Sequence, residues 1–273
     1  MKSLDTNVLL YALNLDCAYE PKLMSLIAPT AHTSSTHATW RTSYRLQCSP
    51  SATLLTGIDR ARVVPETGRA PSACGISASP PRAFGWLRPL ALNFANGVHP
   101  GGGFLSGATA QEETLCRSSA LDQTLVGDPM YEVHARRRQP DSTDWAIYSP
   151  DVPVFRTDDG TELPHPWLLS FITCAAPVAP AVGRPRAADL LQQRIGRVLA
   201  IARAYGYATL VLGAWGCGAF GNDPRRTAID FRQALQKDYS GAFSEVVFAI
   251  TDWSPERRFL GPFREVFAAE GDV

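Results

Sequence analysis

The sequence predicts an α/β fold, a layered structure in which helices cover a sheet. Three observations carry that reading. From about residue 85 onward, short apolar runs alternate with helical patterns. Two of those runs lead directly into glycine-rich turns, each followed by a helical segment. Residues 187–205 have the apolar spacing of an amphipathic helix, with Leu191, Ile195, Val198, Leu199 and Ala202 on one face and Gly206 as its stop.

The elements follow in order. Leu90–Ala95 is an apolar run of strand length, expected to be buried. It enters the turn Gly101-Gly102-Gly103, and a helix is expected from the Gln111-Glu112-Glu113 cluster through Thr114 to Leu125. Leu168–Thr173 is a second buried strand, and the helix over 187–205 follows it. Thr209–Leu212 forms the next strand and runs into a second loop, Gly213-Ala214-Trp215-Gly216-Cys217-Gly218-Ala219-Phe220-Gly221. Asn222 or Asp223 can cap the helix after it, and Pro224 suits the first turn, where its missing N–H is not needed. Ala228, Phe231 and Leu235 supply that helix's apolar face, and Val246–Ile250 closes the unit as a strand. Residues 1–84 give no such pattern: between Thr30 and Thr56, twelve of 27 residues are Ser or Thr. The expected organisation is therefore an N-terminal segment of unassigned structure, 1–84, packing on a core of 85–273.

Composition excludes several classes. With 26 basic and 26 acidic residues in a chain of 273, no net field draws the protein to nucleic acid or to an anionic membrane, and no direct nucleic-acid binding is expected. The one dense basic cluster, Arg136-Arg137-Arg138, fits either a solvated loop or contact with a polymer's phosphates. No apolar run has the length of a membrane span, since Trp167–Val182 is broken by Ser170, Thr173, Pro177 and Pro180. Six cysteines lie far apart, without a Cys-x-x-Cys pair or histidines at zinc spacing, which predicts free thiols in a reducing cytoplasm and no metal centre.

The chemistry concentrates at the two loops. Three consecutive glycines admit positive φ and close approach of a ligand. Two glycine-rich turns that each leave a strand and precede a helix suit a diphosphate, because backbone N–H groups and the helix dipole favour an anion. Seven residues separate the triple glycine from Gln111, and two carboxylates follow it directly. Being consecutive, their side chains diverge by about 100° on a helix and are expected to do different work. An adjacent like charge and partial burial raise a carboxyl's pKa, while the helix N-terminus lowers it, and the sequence leaves that balance open.

The segment Leu92–Ala108, a strand with Asn93-x-x-Asn96 running into Gly101-Gly102-Gly103, resembles the ADP-ribose-binding signature of macrodomains. Triple glycine followed by Gln111-Glu112-Glu113 resembles the signature of bacterial-type poly(ADP-ribose) glycohydrolases. Gly213–Pro224 is similar to that family's second phosphate loop, and Tyr148–Arg156 to another of its stretches. The resemblance spans roughly residues 88–268. It implies a macrodomain-like three-layer α/β/α sandwich with a mixed central sheet, and a monomeric enzyme without cofactor or metal. That enzyme would cleave ribose–ribose O-glycosidic bonds of poly(ADP-ribose), preferring chain ends. Its partners would be the polymer or an ADP-ribosylated protein, and ADP-ribose as product.

By the same resemblance Glu113 is the acid/base and Glu112 positions the ribose. Asn96 would bond the distal ribose, and Gln111 would orient the pair at the substrate. Gly101, Gly102 and Gly103, with Gly216, Gly218, Ala219, Phe220 and Gly221, would bind substrate. Asn93 fits either a ligand contact or a buried, backbone-satisfied amide. Phe220 fits either a ribose contact or a plug beneath its loop. His99 reads as a turn residue at the rim, Cys217 as a small buried thiol, and Trp215 as a buttress of the second loop.

Three other functions share these features: a reader that binds ADP-ribose without cleaving it, a mono-ADP-ribosyl hydrolase, and a metal-dependent nuclease. The last rests on Met1–Leu13, where Asp5 resembles the start of a PIN domain. The Val63–Thr67 stretch resembles a family strand at the adenine end, whose binding residues stay unassigned.

Overall fold

The structure, a computed structural model, describes residues 88–268. The readings of residues 1–84, including Asp5, Val63–Thr67 and Cys17, Cys48 and Cys74, lie outside the described residues.

Five strands form one mixed sheet: β1 (Pro89–Phe94), β2 (Ala146–Arg156), β3 (Glu162–Cys174), β4 (Thr209–Leu212) and β5 (Glu245–Phe248). Their spatial order is β2-β3-β1-β4-β5, with β3, β1, β4 and β5 parallel and β2 antiparallel to β3 at one edge. Helices cover both faces: α1 (Gln111–Ser118), α2 (Leu121–Leu125) and α3 (Pro129–Ala135) on one side. On the other lie α5 (Arg184–Ala204), α6 (Pro224–Gln233) and α7 (Leu260–Ala268), with the short α4 (Ala179–Val182) leading into α5.

Strand alternation decides which residues meet which layer. Leu90, Leu92, Ile172, Cys174, Leu210 and Leu212 join a core with Leu191, Ile195, Val198 and Leu199 of α5. Their neighbours Ala91, Phe171 and Val211 point the other way, to Leu115, Leu121, Leu125 and Met130. Each fully buried aliphatic side chain contributes about 1.5–3 kcal/mol relative to exposure. Four of them on α5 therefore matter more to that helix than its intrinsic propensity. The three layers and the mixed sheet are those expected.

Three local expectations need correction. The single helix expected through Leu125 breaks at Ser119, which is extended and bridges Val154 of β2 while Ala120 N–H donates to Pro153. Ser119 Oγ donates to Leu115 and accepts from the Leu121 N–H, closing one helix and opening the next. A tertiary strand contact overrides a helical pattern. The last strand ends at Phe248, so Ile250 leaves the sheet instead of extending it. Of the two capping candidates, Asp223 caps α6 by accepting from the Arg225 and Arg226 N–H groups, and Pro224 follows at the first position. Asn222 is buried and donates instead to the Pro177 and Gly216 carbonyls.

Asp223→Ala should therefore lower the unfolding free energy by about 1 kcal/mol in urea titration, and Asp223→Asn by much less. Equal losses for both would show that charge, not the cap hydrogen bonds, is what matters there.

Candidate active site

Strand β1 pairs with β4 only as far as Ala91 with Val211. Past that point the two chains part, and the backbone groups on that side of β1 need other partners. Gln111 supplies them: its Oε1 accepts from the Phe94 N–H at 2.7 Å and its Nε2 donates to the Leu92 carbonyl at 2.8 Å. Both ends of the amide are thus committed to β1. Its side chain seats the first turn of α1 and also lines the cleft described below.

With α1 so seated, Glu112 falls against the end of β1 and is 3% exposed. Its Oε1 accepts from Asn93 Nδ2 at 3.2 Å and its Oε2 from the Asn96 N–H at 2.6 Å, with a further backbone contact from Gly101. Asn93 is fully buried and also donates to Thr173 Oγ1 at 3.1 Å, so its amide is held by side chains instead of backbone. Burial, offset in part by those donors and reinforced by the neighbouring Glu113 charge, pushes the Glu112 carboxyl up to about 8. The balance left open by the sequence falls on the side of protonation.

Glu113 is 9% exposed and accepts at Oε1 from the Gly103 N–H at 3.1 Å. The triple glycine is built around this pair. Gly102 has φ +58°, and a Cβ there would lie 2.2 Å from Glu113 Oε1 and 3.3 Å from Glu112 Oε2. The Gly102 N–H donates to the His99 carbonyl at 2.9 Å. The first loop therefore commits its N–H groups within the protein and encloses the carboxylates. Asn96 Oδ1 accepts from the Val98 and His99 N–H groups, which shapes the same turn, and His99 itself is exposed.

The second loop is arranged differently. Its frame is internal: Trp215 N–H to the Gly213 carbonyl, Asn222 N–H to the Gly216 carbonyl, and Gly221 N–H to the Gly218 carbonyl, 2.8–3.0 Å. The Gly221 N–H is thus engaged within the loop. The backbone N–H groups of Gly218, Ala219 and Phe220 have no acceptor among the described residues. Gly216 needs to be glycine for the fold, having φ +73° with Ala176 and Asn222 each 2.7 Å from a built Cβ. Gly218 does not, since a Cβ there meets nothing within 4 Å. Trp215 is fully buried beneath the loop, as a buttress would be, and Cys217 is buried.

An open cleft runs along this loop. Phe94, Gln111, Gly218, Phe220, Thr251 and Phe259 are among the residues lining it, and the carboxylate pair begins one residue beyond its Gln111 wall. Phe220 is half-buried, lining the cleft and packing against the α5-side core.

The wall from Ile250 to Phe259 has no counterpart in the sequence reading. Asp252 builds it, accepting from Ser254 N–H and Oγ–H and from the Phe259 and Leu260 N–H groups, at 2.6–3.0 Å. Burial alone would raise this carboxyl, but those hydrogen bonds hold it down at about 2. The signal available was Asp252-Trp253-Ser254-Pro255, a turn-forming order. The cluster Arg136-Arg137-Arg138 is exposed, with Arg136 paired to Glu132 and Arg137 to Asp141.

Layer order, a cleft where parallel strands part, one donor-rich loop and one carboxylate-enclosing loop together define a macrodomain-like ligand-binding protein. Residues 77–157 match the family described as microbial-type PARG, catalytic domain. Among solved structures, the poly(ADP-ribose) glycohydrolase of Thermomonospora curvata is 46% identical, covering 66% of this chain and 68% of that one, TM-score 0.64. The same enzyme bound to the inhibitor ADP-HPD is 45% identical over 65% and 70%, TM-score 0.63. The Deinococcus radiodurans poly(ADP-ribose) glycohydrolase in complex with ADP-ribose is 44% identical over 67% and 76%, TM-score 0.63. A search of curated proteins gives no match. The chain belongs to the bacterial poly(ADP-ribose) glycohydrolase family.

Two outcomes follow from the site's construction. Gly216→Ala should lower the melting temperature by several degrees, whereas Gly218→Ala should leave it unchanged or slightly higher, about 0.4–1 kcal/mol at most. Similar losses for both would contradict the distinction between a glycine the fold requires and one it does not.

Glu112, with a folded value above its ordinary 4.5, stabilises fully below about pH 4.5, and this contribution is lost as pH rises toward 8. The melting-temperature difference between Glu112→Gln and wild type should therefore move in favour of the variant from about pH 5 to about pH 9. A difference that stays flat across that range would show that Glu112 is not buried against its charge.

Proposed function

We propose that this chain hydrolyses the ribose–ribose O-glycosidic bond of poly(ADP-ribose), with Glu113 as acid/base and Glu112 as the carboxyl that holds the reacting ribose. The observation that carries the assignment is the enclosure of both carboxyls by the triple glycine at the end of a cleft lined by unused backbone donors. The diphosphate would lie along the Gly218–Phe220 N–H groups, as the dipole of α6 behind that loop favours. The distal ribose would then reach the carboxylates past Gln111. Asn96, whose Oδ1 is committed to its own turn, would meet that ribose through its amide nitrogen.

The chemistry needs one proton and one water. As the anomeric carbon–oxygen bond breaks, its electron pair goes to the departing oxygen, which takes a proton from Glu113. The carboxylate left behind then removes a proton from water as the water oxygen bonds the anomeric carbon, restoring the acid. Burial keeps Glu112, the neighbour of Glu113, protonated at neutral pH. Glu113 is the better donor because it is the more exposed of the two and Glu112 has both oxygens engaged, by Asn93 and by Asn96. A reader of ADP-ribose would have no use for this arrangement, since burying two adjacent carboxyls costs stability.

Glu113→Gln should reduce release of ADP-ribose from the polymer by at least about a thousandfold while calorimetry shows near-normal ADP-ribose binding. Retained turnover in that variant would refute the role of Glu113. Gly218→Ala should weaken ADP-ribose binding by about tenfold or more, with its fold intact. Unchanged affinity would remove the diphosphate from that loop.

A further inference from the structure

We propose that His134 is a positioning residue for the carboxylate pair: as the neutral Nδ1–H tautomer it fixes the Gly97 carbonyl, and with it the Asn96 N–H that holds Glu112. The inference rests on the reading of Glu112 and Glu113 given above.

The tautomer follows from the partners. His134 lies on α3, is 4% exposed, and has Nε2 2.9 Å from the Thr143 N–H. A backbone N–H can only donate, so Nε2 must accept and carries no hydrogen. The ring proton is therefore on Nδ1, which donates to the Gly97 carbonyl at 2.9 Å. The Thr143 hydroxyl agrees with this, donating to Nε2 at 2.7 Å while its oxygen accepts from the Trp145 N–H at 3.2 Å. Every partner around the ring fits one protonation state, and an imidazolium would direct an N–H at the Thr143 N–H.

The ring sits between a rigid support and the site. On the support side, Arg194 of α5 is 1% exposed and donates to the Ala175, Asp141 and Ser142 carbonyls, without a carboxylate among its hydrogen-bond partners. A charge so deeply buried needs that full set of acceptors. It secures a turn in which Ser142 has φ +53°, unusual for a residue with a Cβ. Next to that turn stands Thr143. On the site side, Gly97 is wedged: a Cβ there would lie 2.6 Å from Ser142 Oγ and 3.7 Å from His134 Nδ1. The preceding residue, Asn96, gives its N–H to Glu112 Oε2 at 2.6 Å. The peptide that carries the Gly97 carbonyl also carries the Val98 N–H, which donates to Asn96 Oδ1 at 2.9 Å, so its rotation would release the turn that holds Asn96 against Glu112.

The charged groups facing the ring are Arg194 from α5, Arg137 at the end of α3, and Asp141 from the segment after it. Burial, then the two arginines, hold His134 below the ordinary histidine value, against the Gly97 hydrogen bond and Asp141, which favour the cation. The wild type should accordingly lose kcat on an acid limb lying below that ordinary value, as the ring takes up a second proton and Thr143 is displaced.

The test compares His134→Asn, whose amide can still donate to Gly97, with His134→Gln, whose longer amide can serve Thr143 instead. The asparagine variant should retain most of kcat and lose the acid limb. The glutamine variant should fall by about a hundredfold in kcat, with KM and ADP-ribose affinity little changed, because the second loop is untouched. Equal activity in wild type and His134→Gln, or equal impairment of both variants, would overturn the proposal.

Two readouts need no turnover and separate this proposal from the proposed reaction. NMR of isotope-labelled histidine in the wild type should show the Nδ1–H tautomer; the Nε2–H tautomer would overturn the clamp even if neither variant folded. Hydrogen exchange of the Asn96 N–H should be faster in His134→Gln than in His134→Asn, and identical exchange would likewise count against it.

Discussion

Beyond Ala91, strand β1 loses β4 as a neighbour, and the polar groups left at its end are taken up by the first turn of α1. Gln111 continues the interrupted ladder with its side-chain amide, and Glu112 collects the Asn93 amide and the Asn96 N–H. The rest of the site depends on this junction. It sets the register of α1 on the sheet, places Glu113 under Gly103, and obliges the triple glycine to pass over both carboxyls without a Cβ. The opening at the end of β1 is closed by a helix that brings both carboxyls with it.

The two glycine-rich loops look alike in sequence and differ in physics. The first turns its donors inward, onto His99 and Glu113, and so forms part of the carboxylates' housing. The second closes its frame on itself and on Asn222, with the donors of Gly218, Ala219 and Phe220 left over. One loop is thus suited to tuning a proton and the other to receiving an anion. This separation lets the Glu112 carboxyl be raised by burial without the second loop's donors being used to hold it ionised.

Most of the layer architecture was legible in the sequence because it is carried by local periodicity. The face of α5, strand β4 to the residue, and the Pro224 start of α6 all have signals within a few positions. What escaped was decided by contacts distant in sequence. Ser119 leaves the helical pattern for a bridge to Val154, and the bonds of Gln111 to β1 form only once the strand end meets α1. His134 shows no motif, since its partners Gly97 and Thr143 meet it only in three dimensions. The cleft wall at Ile250–Phe259 likewise depends on one aspartate gathering N–H groups up to eight residues away. The residue types at the site were readable; which of them face a ligand and which face the protein was not.

The central claim is that the end of β1 holds a carboxyl protonated near neutral pH beside a second, more accessible one. NMR titration of isotope-labelled glutamate carboxyl carbons in the ligand-free protein tests this most directly, with Glu112→Gln to assign the signal. One resonance should titrate near pH 8 and be absent from the variant. If every glutamate has ionised by about pH 6, as unperturbed carboxyls do, then Glu112 is not buried against its charge and the site holds no proton to give.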